Sequence, residues 1–214
     1  MVERKHQDYE SKGLLNLIRR NELLILISLI IFFGSLAIGF FLSAYIDQIM
    51  AQALNSFKDS ISKGEIQLTT SSIFLNNIKI AIYLYGGGIF VGITTVIMLA
   101  YNGLFIGYAA SKFNLGEFII FTLPHGIFEI SGIIIAGAAG LRLASTIINI
   151  LRDVFNIKNN TSILKQLKSI MRANSFEFQD SLKLFIIAAI LIFIAAIIEA
   201  NFTLAWGNYI RGVI

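Results

Sequence analysis

From Ile80 to about Ile148 the chain is almost continuously apolar, broken chiefly by Asn102, by the stretch SKFNLGE at 111 to 117 and by Pro124. A helix crosses a hydrocarbon core of roughly 30 Å with about 20 residues, so this region must cross more than once. Two further apolar runs, Leu23 to Ile46 and about Leu184 to Trp206, flank it. Across the 214 residues, 56% are hydrophobic and 14% charged, and the charges fall mostly in blocks between the apolar runs. That pattern predicts an all-α, polytopic transmembrane helix bundle with no soluble domain of useful size.

The composition narrows the chemistry. The chain has no cysteine, which excludes disulfides, thiolate metal sites and cysteine nucleophiles. His6 and His125 are its two histidines, too few for a histidine-rich metal centre, and no metal or other cofactor is expected. The net charge of +4 resides in basic residues beside membrane segments, where orientation and anionic lipid account for it without nucleic acid.

Arg19 and Arg20 precede the first run, and AQA at 51 to 53 has the look of a signal cleavage site. Residues 23 to 46 are longer than the usual h-region of about 7–15 residues, so they are read as an uncleaved first span. The connection at 47 to 75 carries Met50, Leu54, Phe57 and Ile61 at helical spacing, which predicts an amphipathic surface helix. In SILKQLKSIMR, at 162 to 172, Ile163, Leu167, Ile170 and Met171 oppose Lys165, Lys168 and Arg172, which predicts a second, basic one.

Five Lys and Arg precede residue 23, two lie in 47 to 75 and six in 150 to 183. Basic segments stay inside, so the basic N-terminal segment 1–22 and the 150–183 loop are expected in the cytoplasm, with the 47–75 connection and the short 207–214 tail outside. Three crossings between residues 75 and 150 satisfy that parity. The expected spans of this single 23–206 membrane domain are about 23–46, 78–100, 102–122, 125–149 and 184–206. Lys112, Asn114 and Glu117 fall inside the third, which is expected as a full crossing or as a broken or re-entrant element.

Small residues recur four apart: Gly88 and Gly92, Gly103 and Gly107, and the ridge Gly132, Ala136, Gly140, Ala144, with Gly137 beside it. Such spacing lets helices approach closely in lipid, within one chain or between copies of it. Pro124 suits the first turn of a helix, so a helix is expected to begin near 123. At roughly 100° per residue, His125 and Glu129 then lie about 40° apart on the stripe that carries Gly132, Ala136 and Gly140. The topology brings Asn76 and Asn77, and also Glu199 and Asn201, to the same outer depth. Ionisable groups at membrane depth are costly and usually paired, so Asn76, Asn77, His125, Glu129 and Glu199 form a candidate intramembrane polar cluster. Structural clasp, lipid or partner site, and catalysis or proton-coupled transport are its possible roles. Asn102 is expected to cap or bond between helices near the inner face, and Arg142 to snorkel toward headgroups. No second histidine or HExxH supports a metal set, and no GxSxG or P-loop is present.

LPHGIFEISGIIIAGAAGLRLA, at 123 to 144, resembles the signature of the stage II sporulation protein M family, in which a PHG…E element leads into an AGAAGLRL-type stretch. NNIKIAI at 76 to 82, YNGLFIG at 101 to 107 and IIEANFT at 197 to 203 fit the same pattern in order, Glu199 and Thr203 matching a closing E…T element. Pro124, His125, Gly126 and Glu129 match as signature positions. The resemblance implies a multi-spanning membrane protein with no established catalytic activity. Similar proteins of endospore formers work with two partners, one a peptidoglycan hydrolase, during septal thinning and engulfment, and relatives occur where no spores form. The expected function is a non-enzymatic, self-associating scaffold or assembly factor that positions envelope partner proteins among membrane lipids. A transporter, channel or lipid-handling protein is the first alternative, and an intramembrane enzyme using His125 and Glu129 the second.

Overall fold

The computed structural model describes residues 13–65, 67–157 and 162–213. Arg4, Lys5, His6, Lys12 and Lys158 lie outside them. The described residues are almost wholly helical: α1 (Leu14–Phe41), α2 (Asp47–Ser62), α3 (Thr70–Gly86), α4 (Ile93–Lys112), α5 (Leu115–Phe155), α6 (Ile163–Ala173), α7 (Ser175–Ile198) and α8 (Leu204–Val213). A 3-10 turn, Gly87–Phe90, extends α3, and a π-helical segment, Glu199–Thr203, joins α7 to α8. Five segments are long and apolar enough to cross a membrane: Leu14–Phe41, Thr70–Phe90, Ile93–Lys112, Leu115–Phe155 and Ser175–Val213. Their outer faces carry exposed Leu26, Ile30, Phe33, Ile97, Ile127 and Ile190. In water such a surface would aggregate, whereas in lipid it is the solvated face.

The breaks between helices fall elsewhere than expected, and local chemistry explains each shift. The expected 78–100 and 102–122 spans are instead Thr70–Phe90 and Ile93–Lys112, because the chain reverses at Val91 and Gly92, with φ of 57° and 81°. Glycine takes that left-handed conformation at little cost, which makes Gly92 the natural pivot. Tyr101 and Asn102, the expected break, lie in mid-helix. The next turn is set by Asn114, whose side chain accepts a hydrogen bond from the Glu117 amide and caps α5. Lys112, Asn114 and Glu117 therefore sit at a turn, and the third span is an unbroken helix. Pro124 lies inside α5 instead of at its start. Having no N–H, it leaves the Ile120 carbonyl without its helical partner, a loss an already formed helix absorbs. At 41 residues α5 is about 60 Å long, so it projects well beyond the hydrocarbon core.

Packing follows the small residues. α5 lies along α7, and α1 along α4. A Cβ at Gly103 would strike the Phe32 carbonyl and one at Gly107 the Leu36 carbonyl, so α4 meets α1 backbone to backbone. Gly39 returns the contact against the Leu104 carbonyl. Gly140 on α5 meets the Leu84 carbonyl of α3, and Gly88 meets that of Gly140. Gly132 packs on Ile192, Gly137 on Leu99, and Ala136 is fully buried. The small-residue ridges, which suit packing within one chain or between copies, fill contacts within the chain. Around them Phe32, Leu84, Leu99, Ile133 and Ile192 form the central core.

The two amphipathic helices differ. α2 buries Met50 and Leu54 against Tyr108 and Ala109 of α4. Tyr108 and Lys112 also donate hydrogen bonds to the Asp47 carboxylate. Those bonds, Lys112 foremost, hold the Asp47 carboxyl below its ordinary range. α6 buries none of its residues, leaving Ile163, Leu164 and Met171 exposed. The 207–214 tail continues as helix to Val213, with Gly207 tight against the Phe121 ring and Arg211 paired with Glu117.

Candidate functional site

Where α7 gives way to the π segment, two regions of the sequence meet. His125 and Glu129 lie one turn apart on α5, and Glu199 and Thr203 open and close the π segment. The wider winding of a π turn displaces the side chains that follow it, and such turns concentrate at functional sites. Thr203 is buried, and its hydroxyl donates to the Ile198 carbonyl, five residues back, at 3.4 Å. The same oxygen stands 3.1 Å from His125 Nδ1. In the tautomer with Nδ1 protonated, the imidazole donates to Thr203 while the hydroxyl keeps its hydrogen for Ile198.

Nε2 faces the two acids, and in that tautomer it is unprotonated. Nε2 is 4.0 Å from a Glu129 carboxylate oxygen and 4.0 Å from a Glu199 carboxylate oxygen, beyond hydrogen-bonding distance. The side chains of His125, Glu129 and Glu199 are 12%, 20% and 27% exposed before any lipid covers them. One donor atom from each lies within 4.8 Å of the other two. One imidazole and two carboxylates are a donor set that can hold a divalent cation, a proton or a cationic ligand.

Of the expected cluster, His125, Glu129 and Glu199 come together directly. Asn76 donates to its neighbour Asn77 at 3.4 Å, and neither forms a hydrogen bond with the His125 group among the described residues. Asn201 turns away, bonding the Ile197 carbonyl and reaching Thr70 at the start of α3. Thr203, expected as a signature position, joins the cluster through His125. Gly126, beside His125, is buried with Thr122 against it. Asn102 bonds the Met98 carbonyl of its own helix in the middle of α4, away from the inner-face bridging expected of it.

Arg142 corrects a second expectation. It does not reach for headgroups: Nε donates to Asn21 Oδ1 at 2.6 Å and a terminal nitrogen to the Arg20 carbonyl at 3.0 Å. Arg20 in turn grips Asp180 with two hydrogen bonds, 2.8 and 2.9 Å, and Asp180 is 2% exposed. This network joins α1, α5 and α7 and was missed in the sequence, where Arg20 read as an orientation signal. A signal existed: Asp180, the acid nearest the apolar run of its helix, calls for a partner.

Comparison with known proteins places this architecture. The family described as stage II sporulation protein M matches residues 28–204, from within α1 to the first residue of α8, and so includes His125, Glu129, Glu199 and Thr203. Two uncharacterized proteins of Methanocaldococcus jannaschii are similar. One is 31% identical over 150 residues, 68% of this chain and 76% of that protein. The other is 28% identical over 207 residues, 91% of this chain and 88% of that protein. No solved structure matches the chain. Five membrane-length helices and a match over most of their length lead to one conclusion: the chain belongs to the stage II sporulation protein M family of membrane proteins.

Proposed function

We propose that this protein is a non-enzymatic membrane scaffold, an assembly factor that recruits or positions envelope proteins. The observation that carries the reading is the backbone-to-backbone packing of α4 on α1 and of α3 on α5 through Gly103, Gly107, Gly39, Gly88 and Gly140. Transport by alternating access needs one bundle to rock against another. Helices locked carbonyl against glycine at successive turns resist that sliding, since any shift drives backbone into backbone. A stiff bundle with surface helices attached suits holding partners in register. The orientation belongs to the same reading: N-terminus and α6 in the cytoplasm, α2 and the C-terminus outside, by the distribution of Lys and Arg. With no cysteine to interfere, Lys165→Cys reports it; labelling by an impermeant maleimide from outside intact cells would reverse the assignment.

One observation favours a second reading, lipid handling. An open groove of about 530 Å³ runs between α2, α3 and α4, lined by Gln52, Ser56, Ile80, Tyr101 and Phe105. Two experiments decide between the readings. Crosslinking in native membranes, followed by mass spectrometry of the purified protein, is expected to recover an envelope protein reproducibly. Self-association alone, joined by flux of labelled lipid in proteoliposomes above that of empty vesicles, would overturn the scaffold and establish lipid handling.

A further inference from the structure

We propose that His125, Glu129 and Glu199 bind a first-row divalent transition-metal ion of the Zn2+ class, with Thr203 orienting the imidazole. The site does not depend on the scaffold reading.

Three features carry it. The first is spacing. Tetrahedral donors about 2.1 Å from a shared ion stand roughly 3.4 Å from one another. His125 Nε2 is 4.0 Å from each carboxylate, too far for a hydrogen bond and about 0.6 Å wider than such a ligand pair, a gap that small side-chain rotations close around an ion. The Glu129 and Glu199 donor atoms lie within 4.8 Å of each other.

The second is the imidazole's own wiring. Thr203 Oγ1 stands 3.1 Å from Nδ1 and 3.4 Å from the Ile198 carbonyl, so it can accept from Nδ1 while donating to Ile198. Nε2 then has a lone pair aimed at two carboxyl groups. A lone pair facing two carboxylates is repulsive unless a cation or a proton sits between them. A metal-ligating histidine characteristically donates its other nitrogen to an oriented acceptor, which is the place Thr203 holds.

The third is compensation. The two acids lie within membrane-length helices, and among the described residues neither accepts a hydrogen bond nor pairs with Lys or Arg. Ionised carboxylates at membrane depth need a counter-charge. A divalent ion held by one nitrogen and two oxygens supplies it and keeps at least one coordination position for water or a partner's side chain. Sequence spacing shows a histidine and one acid; the third donor arrives from 70 residues along the chain through the α5–α7 packing.

The test uses the full chain, purified in detergent or nanodiscs, stripped with chelator and dialysed against Zn2+. The expected result is one saturable Zn2+ per chain, with affinity at least 100-fold lower for Glu199→Gln and for His125→Ala. Thr203→Val, which keeps all three ligands and loses the acceptor, should weaken binding about 10–100-fold. The exposed Glu117→Gln should bind as wild type does. Because removing a ligand can disturb folding, Co2+ titration of the unaltered protein adds a spectroscopic readout: intense d–d absorption unlike that of hexaaqua Co2+, displaced by Zn2+. Absence of saturable Zn2+ binding, a Co2+ spectrum that stays aqueous, or full binding by folded Glu199→Gln would each overturn the site.

Discussion

The two polar groups of the bundle lie about 25 Å apart along α5 and are built on opposite plans. Around Arg142 the donors and acceptors meet at 2.6 to 3.0 Å, and the buried Asp180 carboxylate receives both of its hydrogen bonds from Arg20. Around His125 the acids stand off at 4.0 Å, and the sole short contact, Nδ1 to Thr203, points away from them. A network closed by direct bonds locks helices together. A network held open, on a π segment, leaves room for the ion proposed above. The contrast lies within a single helix pair, α5 and α7.

The sharpest way to break that contrast is at the closed end. Asp180→Ala removes both hydrogen bonds that Arg20 makes to a buried carboxylate and should cost on the order of 3 kcal/mol, read as lowered thermal stability in detergent. The open end should behave differently. Zn2+ at about 100 times its dissociation constant should stabilise wild type by about 2.7 kcal/mol and leave His125→Ala unmoved. Next in size is Gly140→Ala, whose added methyl meets the Leu84 carbonyl and Thr95, at about 2 kcal/mol of overpacking. In chelator, His125→Ala should cost about 1 kcal/mol, the worth of its bond to Thr203. A loss matching that of Asp180→Ala would make the His125 group a clasp of the same kind as the other.

The smallest effect concerns α2. The folded-state carboxyl of Asp47 is depressed, so its contribution is present above the unfolded value near 3.8 and is lost as pH falls through the lower folded value. Below about pH 4, amide exchange in α2 should therefore rise. Asp47→Asn should show that faster exchange already at neutral pH.

Much of this was legible in the residues, because burial in lipid writes long apolar runs and helical spacing alone pairs His125 with Glu129. Topology also carried Glu199 to the right depth. The helix boundaries were not legible, since residues 80–148 are apolar throughout and hydropathy marks no edge there; the left-handed Gly92 and the Asn114 cap set them instead. Pro124 misled because it can start a helix or sit within one. The π segment leaves no trace in composition. The Arg20–Asp180 pair joins residues 160 apart, and nothing in either neighbourhood names the other.

The most direct measurement is X-ray absorption at the zinc edge on the Zn2+-loaded protein. The account predicts a first shell of nitrogen and oxygen at about 2.0 to 2.2 Å containing one imidazole, and loss of the imidazole signal in His125→Ala. A shell of water oxygens alone, or an imidazole signal that survives His125→Ala, would contradict it.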